Sequence, residues 1–167
     1  MKNWLLPEKR NDFWREPEVQ SEKCKVQSAK LSQSASSLRH DELSERLLLF
    51  AVRIGKLVNA LPANRLGRHV AGQLIRAGTA GPPNYEEARA AESRADFVHK
   101  LSIVLKELRE SRIWLRFIIL AELLKPVVVQ PLLAECEELC RIIGKSIVTA
   151  KMRALKGNTP NLGDSSK

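Results

Sequence analysis

The chain lacks two features that would place it outside the cytoplasm, namely a framework of cysteines and a long apolar run. Its 167 residues include three cysteines, an odd and small number that gives no disulfide framework and fits a reducing compartment. Charged residues interrupt every apolar stretch before it reaches the roughly 20 residues that a membrane span requires, and the N-terminus has no apolar core of the signal-peptide type. We therefore expect a cytoplasmic protein that contacts no membrane.

Acidic residues are missing from residues 46–85, although the whole chain has 19 acids beside 28 lysines and arginines and a formal net charge of +9. The bases of this acid-free segment are Arg46, Arg53, Lys56, Arg65, Arg68 and Arg76, together with His69. Acids usually alternate with bases on a solvated helix face, so this segment predicts a rigid positive face that binds the phosphates of DNA or RNA. In the alternative interpretation, these long side chains keep the helices soluble and cover apolar neighbours with their stems.

Residues 41–155 contain four segments in which apolar residues recur at intervals of three and four, the pattern of amphipathic helices. The first covers about residues 41–60. The second begins near residue 65 and is expected to end or kink at Pro82 and Pro83, because each proline removes a backbone donor and crowds the preceding turn. Small residues that let a neighbouring backbone come close recur along this second helix, at Gly67, Ala71, Gly72, Gly78 and Gly81.

The third helix is expected after Ser93, a good N-cap residue. Its apolar seam alternates spacings of four and three and consists of Phe97, Leu101, Val104, Leu108, Ser111, Leu115 and Ile118. We expect Lys125-Pro126 to stop this helix and a fourth to run from about Gln130 to Leu155, with Pro131 in its first turn.

Four amphipathic helices with short connections predict an all-α fold, an up-and-down antiparallel four-helix bundle formed by residues 41–155. The segments on either side are polar and lack a helical apolar period. We expect residues 1–40 to be a disordered or loosely docked tail and residues 156–167 to be a flexible one.

The sequence predicts no enzyme, no cofactor and no metal site. Phosphate-binding glycine loops and nucleophile–base motifs are absent. Cys136 and Cys140 lie four residues apart on an apolar helix face, without a second Cys or His pair, so we assign both to the core.

Three glutamates and one asparagine are interpreted as structural. Glu86, Glu87 and Glu107 are expected to form ion pairs with bases such as Arg76 or Arg94 and so to fix the register of the helices. Asn84 follows two prolines, and we expect its side chain to cap the helical segment that follows.

The third helix carries two further candidate surfaces. Arg109, Arg112 and Arg116 share one helix face and form a second candidate for phosphate contacts, although neighbouring glutamates partly offset their charge. Trp114 and Phe117 add apolar surface beside the seam, which predicts an interface with sister subunits.

Four short strings occur in order within residues 73–115, namely Gln73–Ala77 (QLIRA), Asn84–Ala88 (NYEEA), Glu92–Phe97 (ESRADF) and Leu105–Ser111 (LKELRES). Together they resemble the four-helix bundle proteins encoded in bacterial 23S ribosomal RNA intervening sequences. That family is similar to the accessory variability determinant of diversity-generating retroelements, a basic bundle that assembles as a pentameric barrel and binds nucleic acid and a reverse transcriptase. The resemblance covers roughly residues 41–153. It implies a bundle assembled into a ring, with sister subunits, DNA or RNA, and a reverse transcriptase as partners.

The leading hypothesis from sequence is therefore a non-enzymatic, homo-oligomeric bundle that binds nucleic acid through phosphate contacts and serves a reverse transcriptase or an RNA-associated process. The alternative is a protein interaction scaffold in which the positive charge only maintains solubility.

Overall fold

The structure, a computed structural model, describes residues 41–157 and the side chains of residues 41–153. This part of the chain contains four helices and no strand: α1 covers residues 41–59, α2 Arg65–Arg89, α3 Arg94–Leu120 and α4 Pro126–Gly157. The predicted all-α fold is confirmed. The tail predicted at residues 1–40 lies outside the described residues, as do residues 158–167, whereas residues 156 and 157 belong to α4. None of the described helices is both long enough and apolar enough to cross a membrane.

Contacts between α1 and α2 show that these two helices run in opposite directions. Ser44, near the start of α1, donates a hydrogen bond to Glu86 near the end of α2. Further along α1, Ile54 packs against Gly78, which comes earlier in α2. The turn at residues 60–64 is short enough to reverse the chain directly.

The other two helices complete the bundle. In α3, Lys100 pairs with Glu87 of α2, and the Cys136 thiol of α4 donates to the Leu108 carbonyl of α3 at 3.2 Å. α4 also pairs with α1 through Glu135. Each helix therefore lies beside its neighbours in the chain, and α4 lies beside α1, as the predicted four-helix bundle requires.

The core consists of apolar side chains from all four helices. The largest fully buried ones are Leu47, Phe50, Ile54, Val70, Leu74, Leu101, Val104, Leu108, Leu115, Ile118, Leu139 and Ile143. Burial of one such side chain stabilises the fold by roughly 1.5–3 kcal/mol. The seam predicted for α3 is buried from Leu101 to Ile118, and its Phe97 is half-buried. Ser111, the polar member of the seam, is satisfied because its hydroxyl donates to the Glu107 carbonyl at 2.9 Å.

Two glycines of α2 are required by close contacts. A β-carbon on Gly78 would lie 2.7 Å from Cγ2 of Ile54, so this glycine lets α1 approach α2. A β-carbon on Gly67 would lie 1.9 Å from the Pro62 carbonyl oxygen, so this glycine allows the tight turn between the helices. Gly72, by contrast, faces open space, so only part of the predicted small-residue face lets a neighbouring segment come close.

Of the two outcomes predicted at Pro82 and Pro83, an end or a kink of the helix, the end is wrong, because α2 continues through both to Arg89. The residue before a proline normally avoids helical angles because its β-carbon meets the proline ring. Gly81 has no β-carbon, so Pro82 fits inside the helix. The predicted cap at Asn84 is also wrong, because Asn84 lies inside α2 and its side-chain amide donates to the Ala80 carbonyl at 2.8 Å.

The connection from α3 to α4 also differs from the prediction. α3 ends at Leu120, and Pro126 begins α4 instead of stopping α3, so Pro131 lies inside the helix. Glu122 has a φ of 52°. The Glu122 amide bonds the Ile119 carbonyl and the Leu123 amide bonds the Ile118 carbonyl, which is the Schellman pattern that usually places glycine at the left-handed position.

Replacing Glu122 by glycine is expected to stabilise the protein, because a left-handed conformation costs a residue with a β-carbon about 1 kcal/mol. Chemical denaturation of the full chain should show an increase of about this size in the free energy of unfolding. Glu122→Ala is the matched control, since it removes the charge but keeps the β-carbon. An equal gain from the two variants would contradict the conformational explanation.

Candidate nucleic-acid interface

The acid-free segment forms most of α1 and the greater part of α2, and its first base is held in an ion pair. Arg46 donates to Oε1 of Glu135 through Nε at 3.1 Å and through Nη2 at 3.0 Å. Both side chains are about two-thirds buried or more, with exposed fractions of 34% and 25%. Arg46 therefore joins α1 to α4, and little of its charge faces outward.

The last base of the segment is also paired. Arg76 donates to Glu110 of α3, and its Nη1 lies 3.7 Å from Oε2 of Glu107. Glu107 is buried, and this Oε2 accepts no hydrogen bond within the described part of the chain. The guanidinium of Arg76 therefore neutralises a buried carboxylate, and its role in fixing the register of the helices stays a prediction.

The remaining four bases of the segment are exposed. Arg53 and Lys56 lie on the solvent side of α1, and Arg65 is the first residue of α2. Arg68 donates to the Ala63 carbonyl in the turn, which holds its side chain near the end of the bundle.

Antiparallel packing brings two chain reversals to the same end of the bundle. α1 ends and α2 begins there, and α3 ends and α4 begins there. Bases cluster around these reversals, whereas the stretch from residue 117 to residue 134 contains a single acid, Glu122. We call this surface the basic end and define it by Arg53, Lys56, Arg65, Arg68, Arg116 and Lys125, all of which are exposed.

The opposite end of the bundle has charge of both signs. Glu86 pairs with Arg89 at 3.3 Å and accepts from Ser44. Glu87 pairs with Lys100 at 2.5 Å, and this hydrogen bond raises the pKa of Lys100. Glu86 and Glu87 are therefore neutralised locally, and acids and bases alternate at this end among the residues that the structure describes.

The three arginines predicted to share one face of α3 do not all line the same surface. Arg109 and Arg112 line a cleft of about 480 Å³ between α3 and α4, and Arg116 is not among the lining residues. The other lining residues are Leu105, Glu137, Cys140 and Arg141. Nε of Arg112 is buried and has no hydrogen-bond partner among the described residues.

Trp114 and Phe117 belong to an aromatic cluster between α2 and α3. The Trp114 ring packs edge-to-face with His69 and with Phe117, with centroid distances of 5.8 Å in both pairs. Trp114 is half-buried and its Nε1 reaches Glu110 at 3.5 Å, so it is partly a packing residue. Phe117 is exposed, as are Ile113 and Leu120 on the same side of α3.

Sequence reasoning named Glu107 as a partner for a base such as Arg76 but missed two other acids that face the acid-free segment. Glu135 comes from α4 and Glu110 from α3, so the segment's own sequence gives no sign of them. It also missed that Lys125 joins the basic end. In the part of the chain that the structure describes, no three His, Cys, Asp or Glu side chains lie together in a way that would hold a metal ion.

The ion-paired and exposed arginines should respond differently to truncation. Arg76→Ala leaves the Glu107 carboxylate buried without its partner and is expected to lower the free energy of unfolding by roughly 1–3 kcal/mol. Arg53→Ala removes the same charge from an exposed position and should cost less than about 0.5 kcal/mol. Denaturation of the two variants in parallel measures both values. Equal losses would show that Arg76 has no structural role beyond its charge.

Comparison with known proteins identifies the relatives of this chain. Residues 40–145 match the model of the 23S rRNA-intervening sequence protein family. A solved protein of unknown function from the S23 ribosomal protein family of Bacteroides thetaiotaomicron is 31% identical, with a TM-score of 0.60 over 65% of this chain and 96% of that one. No curated protein gave a match. The family model covers more than half of the chain, and the chain belongs to the 23S rRNA-intervening sequence protein family.

Proposed function

We propose that the chain is a non-enzymatic, homo-oligomeric protein of the cytoplasm that binds nucleic acid through phosphate contacts at the basic end. The observation that supports this proposal is the segregation of charge. Six exposed bases lie in, or within seven residues of, two helix reversals, and the segments 46–85 and 117–134 that contain these reversals include one acid. Such a surface attracts a polyanion over several ångströms, since little opposing charge lies nearby.

The form of the basic end favours phosphates over base edges. Its bases are distributed over three helices and one turn, and none of these helices contributes more than two of them. Contacts of this kind position a nucleic acid without selecting its sequence. The proposed role is therefore a scaffold in an RNA-associated process, and partnership with a reverse transcriptase is a further part of the proposal.

Two arginines at the start of α2 provide the test. In Arg65→Gln/Arg68→Gln, two phosphate contacts are lost, so the affinity for every nucleic-acid sequence should fall by a similar factor. The slope of log K against log salt should become shallower by about 1–2. Fluorescence anisotropy with a mixed-sequence duplex and an RNA stem, over a series of salt concentrations, measures both quantities.

A matched double variant at the other end of the bundle serves as the control. Arg94→Gln/Lys151→Gln removes two exposed positive charges and the same net charge, but from outside the basic end. The proposal requires a smaller effect from this pair. Equal effects would mean that net charge alone attracts the nucleic acid, and an affinity of the parent chain that is independent of salt would rule out phosphate contacts.

A second candidate function, a protein interaction scaffold, is favoured by the apolar surface of α3. Ile113, Phe117 and Leu120 have exposed fractions of 53%, 37% and 78%, and they follow one another at intervals of four and three on one side of the helix. Large apolar side chains grouped in this way mark interfaces more often than solvent-facing surface. Sister subunits assembled through this surface would also multiply the basic ends, so the two functions are compatible.

Charge placed on this surface should disrupt assembly without unfolding the bundle. Phe117→Asp/Leu120→Asp is expected to convert the oligomer into a monomer, because two carboxylates would have to be buried in the interface. Val148→Asp changes another exposed apolar residue, on α4, and should leave the mass unchanged. Light scattering after size-exclusion chromatography measures the mass. An unchanged oligomer in the α3 variant would exclude this surface as the interface.

A further inference from the structure

The cleft between α3 and α4 combines a half-buried thiol with several guanidinium groups. Arg109 and Arg112 line it from α3, and Cys140 and Arg141 line it from α4. Glu137 is the acid in the lining, and Arg141 also pairs with Glu138 outside it. The lining holds three arginines and one acid, so the cleft carries a net positive charge that attracts carboxylates.

The two cysteines of α4 differ in their environments. Cys136 is fully buried, and its thiol donates to the Leu108 carbonyl at 3.2 Å. The neighbouring Cys140 and burial raise the pKa of Cys136. The neighbouring Cys136 and the positive charges of Arg112 and Arg109 lower the pKa of Cys140 to about 7, although burial and Glu137 act in the opposite direction. Cys140 is therefore the cysteine of the pair that can react at neutral pH.

We propose that this cleft is a modification site in which Cys140 undergoes thiol–disulfide exchange with a small disulfide that carries carboxylates, the class to which oxidised glutathione belongs. The Cys140 thiolate attacks one sulfur of the reagent, and the reagent's S–S bond breaks as the new S–S bond forms. The other half of the reagent leaves as a thiolate. Cys140 is thereby oxidised, and the departing half is reduced. Arg109 and Arg112 hold the carboxylates of the reagent beside the thiol.

The mixed disulfide should persist once it has formed. Cys136 is one helical turn from Cys140, and β-carbons at this spacing are about 5–6 Å apart. A disulfide needs a separation of about 3.5–4.5 Å, so Cys136 could displace the adduct only if α4 were distorted there. Its raised pKa also leaves Cys136 protonated. The product is therefore an adduct at Cys140 and not a bond between the two cysteines.

The experiment follows the reaction of the full chain with oxidised glutathione at pH 7, with the modified cysteine identified by peptide mass spectrometry. The reference thiol is a synthetic peptide of residues 137–143. At pH 7 a larger fraction of Cys140 than of the peptide thiol is thiolate, but the thiolate of a more acidic thiol is a weaker nucleophile. The two effects together predict a rate about fivefold above that of the peptide. The rate at Cys140 should rise through pH 7, where about half of the thiol is ionised, and level off about one pH unit higher, whereas the rate of the peptide should continue to rise.

A neutral reagent, 2-hydroxyethyl disulfide, and two variants of α3 test whether the cleft attracts the carboxylates of oxidised glutathione. Arg109→Gln changes an exposed residue and should slow the reaction with oxidised glutathione more than the reaction with the neutral reagent, which it affects only by raising the pKa of Cys140. Arg94→Gln removes the same charge from the same helix, away from the cleft, and should leave the rate unchanged. The proposal is overturned if Cys140 reacts no faster than the peptide, if the Arg109 variant slows both reagents equally, or if a Cys136–Cys140 disulfide forms instead. The adduct forms or fails to form whether or not the chain binds nucleic acid.

Discussion

Burial of four apolar helix faces in an antiparallel arrangement is the constraint on which the other features of this protein depend. One close contact between two of these faces joins Ile54 of α1 to Gly78 of α2, where no β-carbon can be accommodated without movement of the neighbour. Once α1 is held against α2 in this register, and α3 and α4 are packed beside them, the two turns of the chain must meet at one end. The concentration of bases at that end is therefore a consequence of topology as much as of composition.

The fold could be predicted from sequence because its signal is local and repeated. The apolar seam of α3, from Leu101 to Ile118, is buried as its spacing predicted. The predictions of helix ends failed where one residue did not follow its usual conformational preference. Pro82 breaks most helices, but Gly81 before it removes the usual clash, and α2 continues. Glu122 adopts the conformation that normally signals glycine, so the end of α3 had no recognisable sequence signal.

The candidate site could be predicted only in part, because charge neutralisation is not local. A segment without acids appears to carry six available bases, yet Arg46 and Arg76 are paired with carboxylates from α4 and α3. Those acids lie far away in the sequence and come close only in the folded bundle. The same reason explains why the cleft around Cys140 could not be foreseen, since its guanidinium groups come from two helices. The exposed bases at the turns remain as the candidate interface after these pairs are removed.

Membership of the 23S rRNA-intervening sequence protein family fixes the fold of this chain, and the distribution of its charge points to its proposed role as a phosphate-binding scaffold. The most direct test is the light-scattering mass of the full chain, alone and mixed with an RNA stem or a DNA duplex, at low and at high salt. Our account predicts an oligomer that gains the mass of the nucleic acid at low salt and loses it at high salt. A mass that is the same with and without nucleic acid at low salt would contradict it.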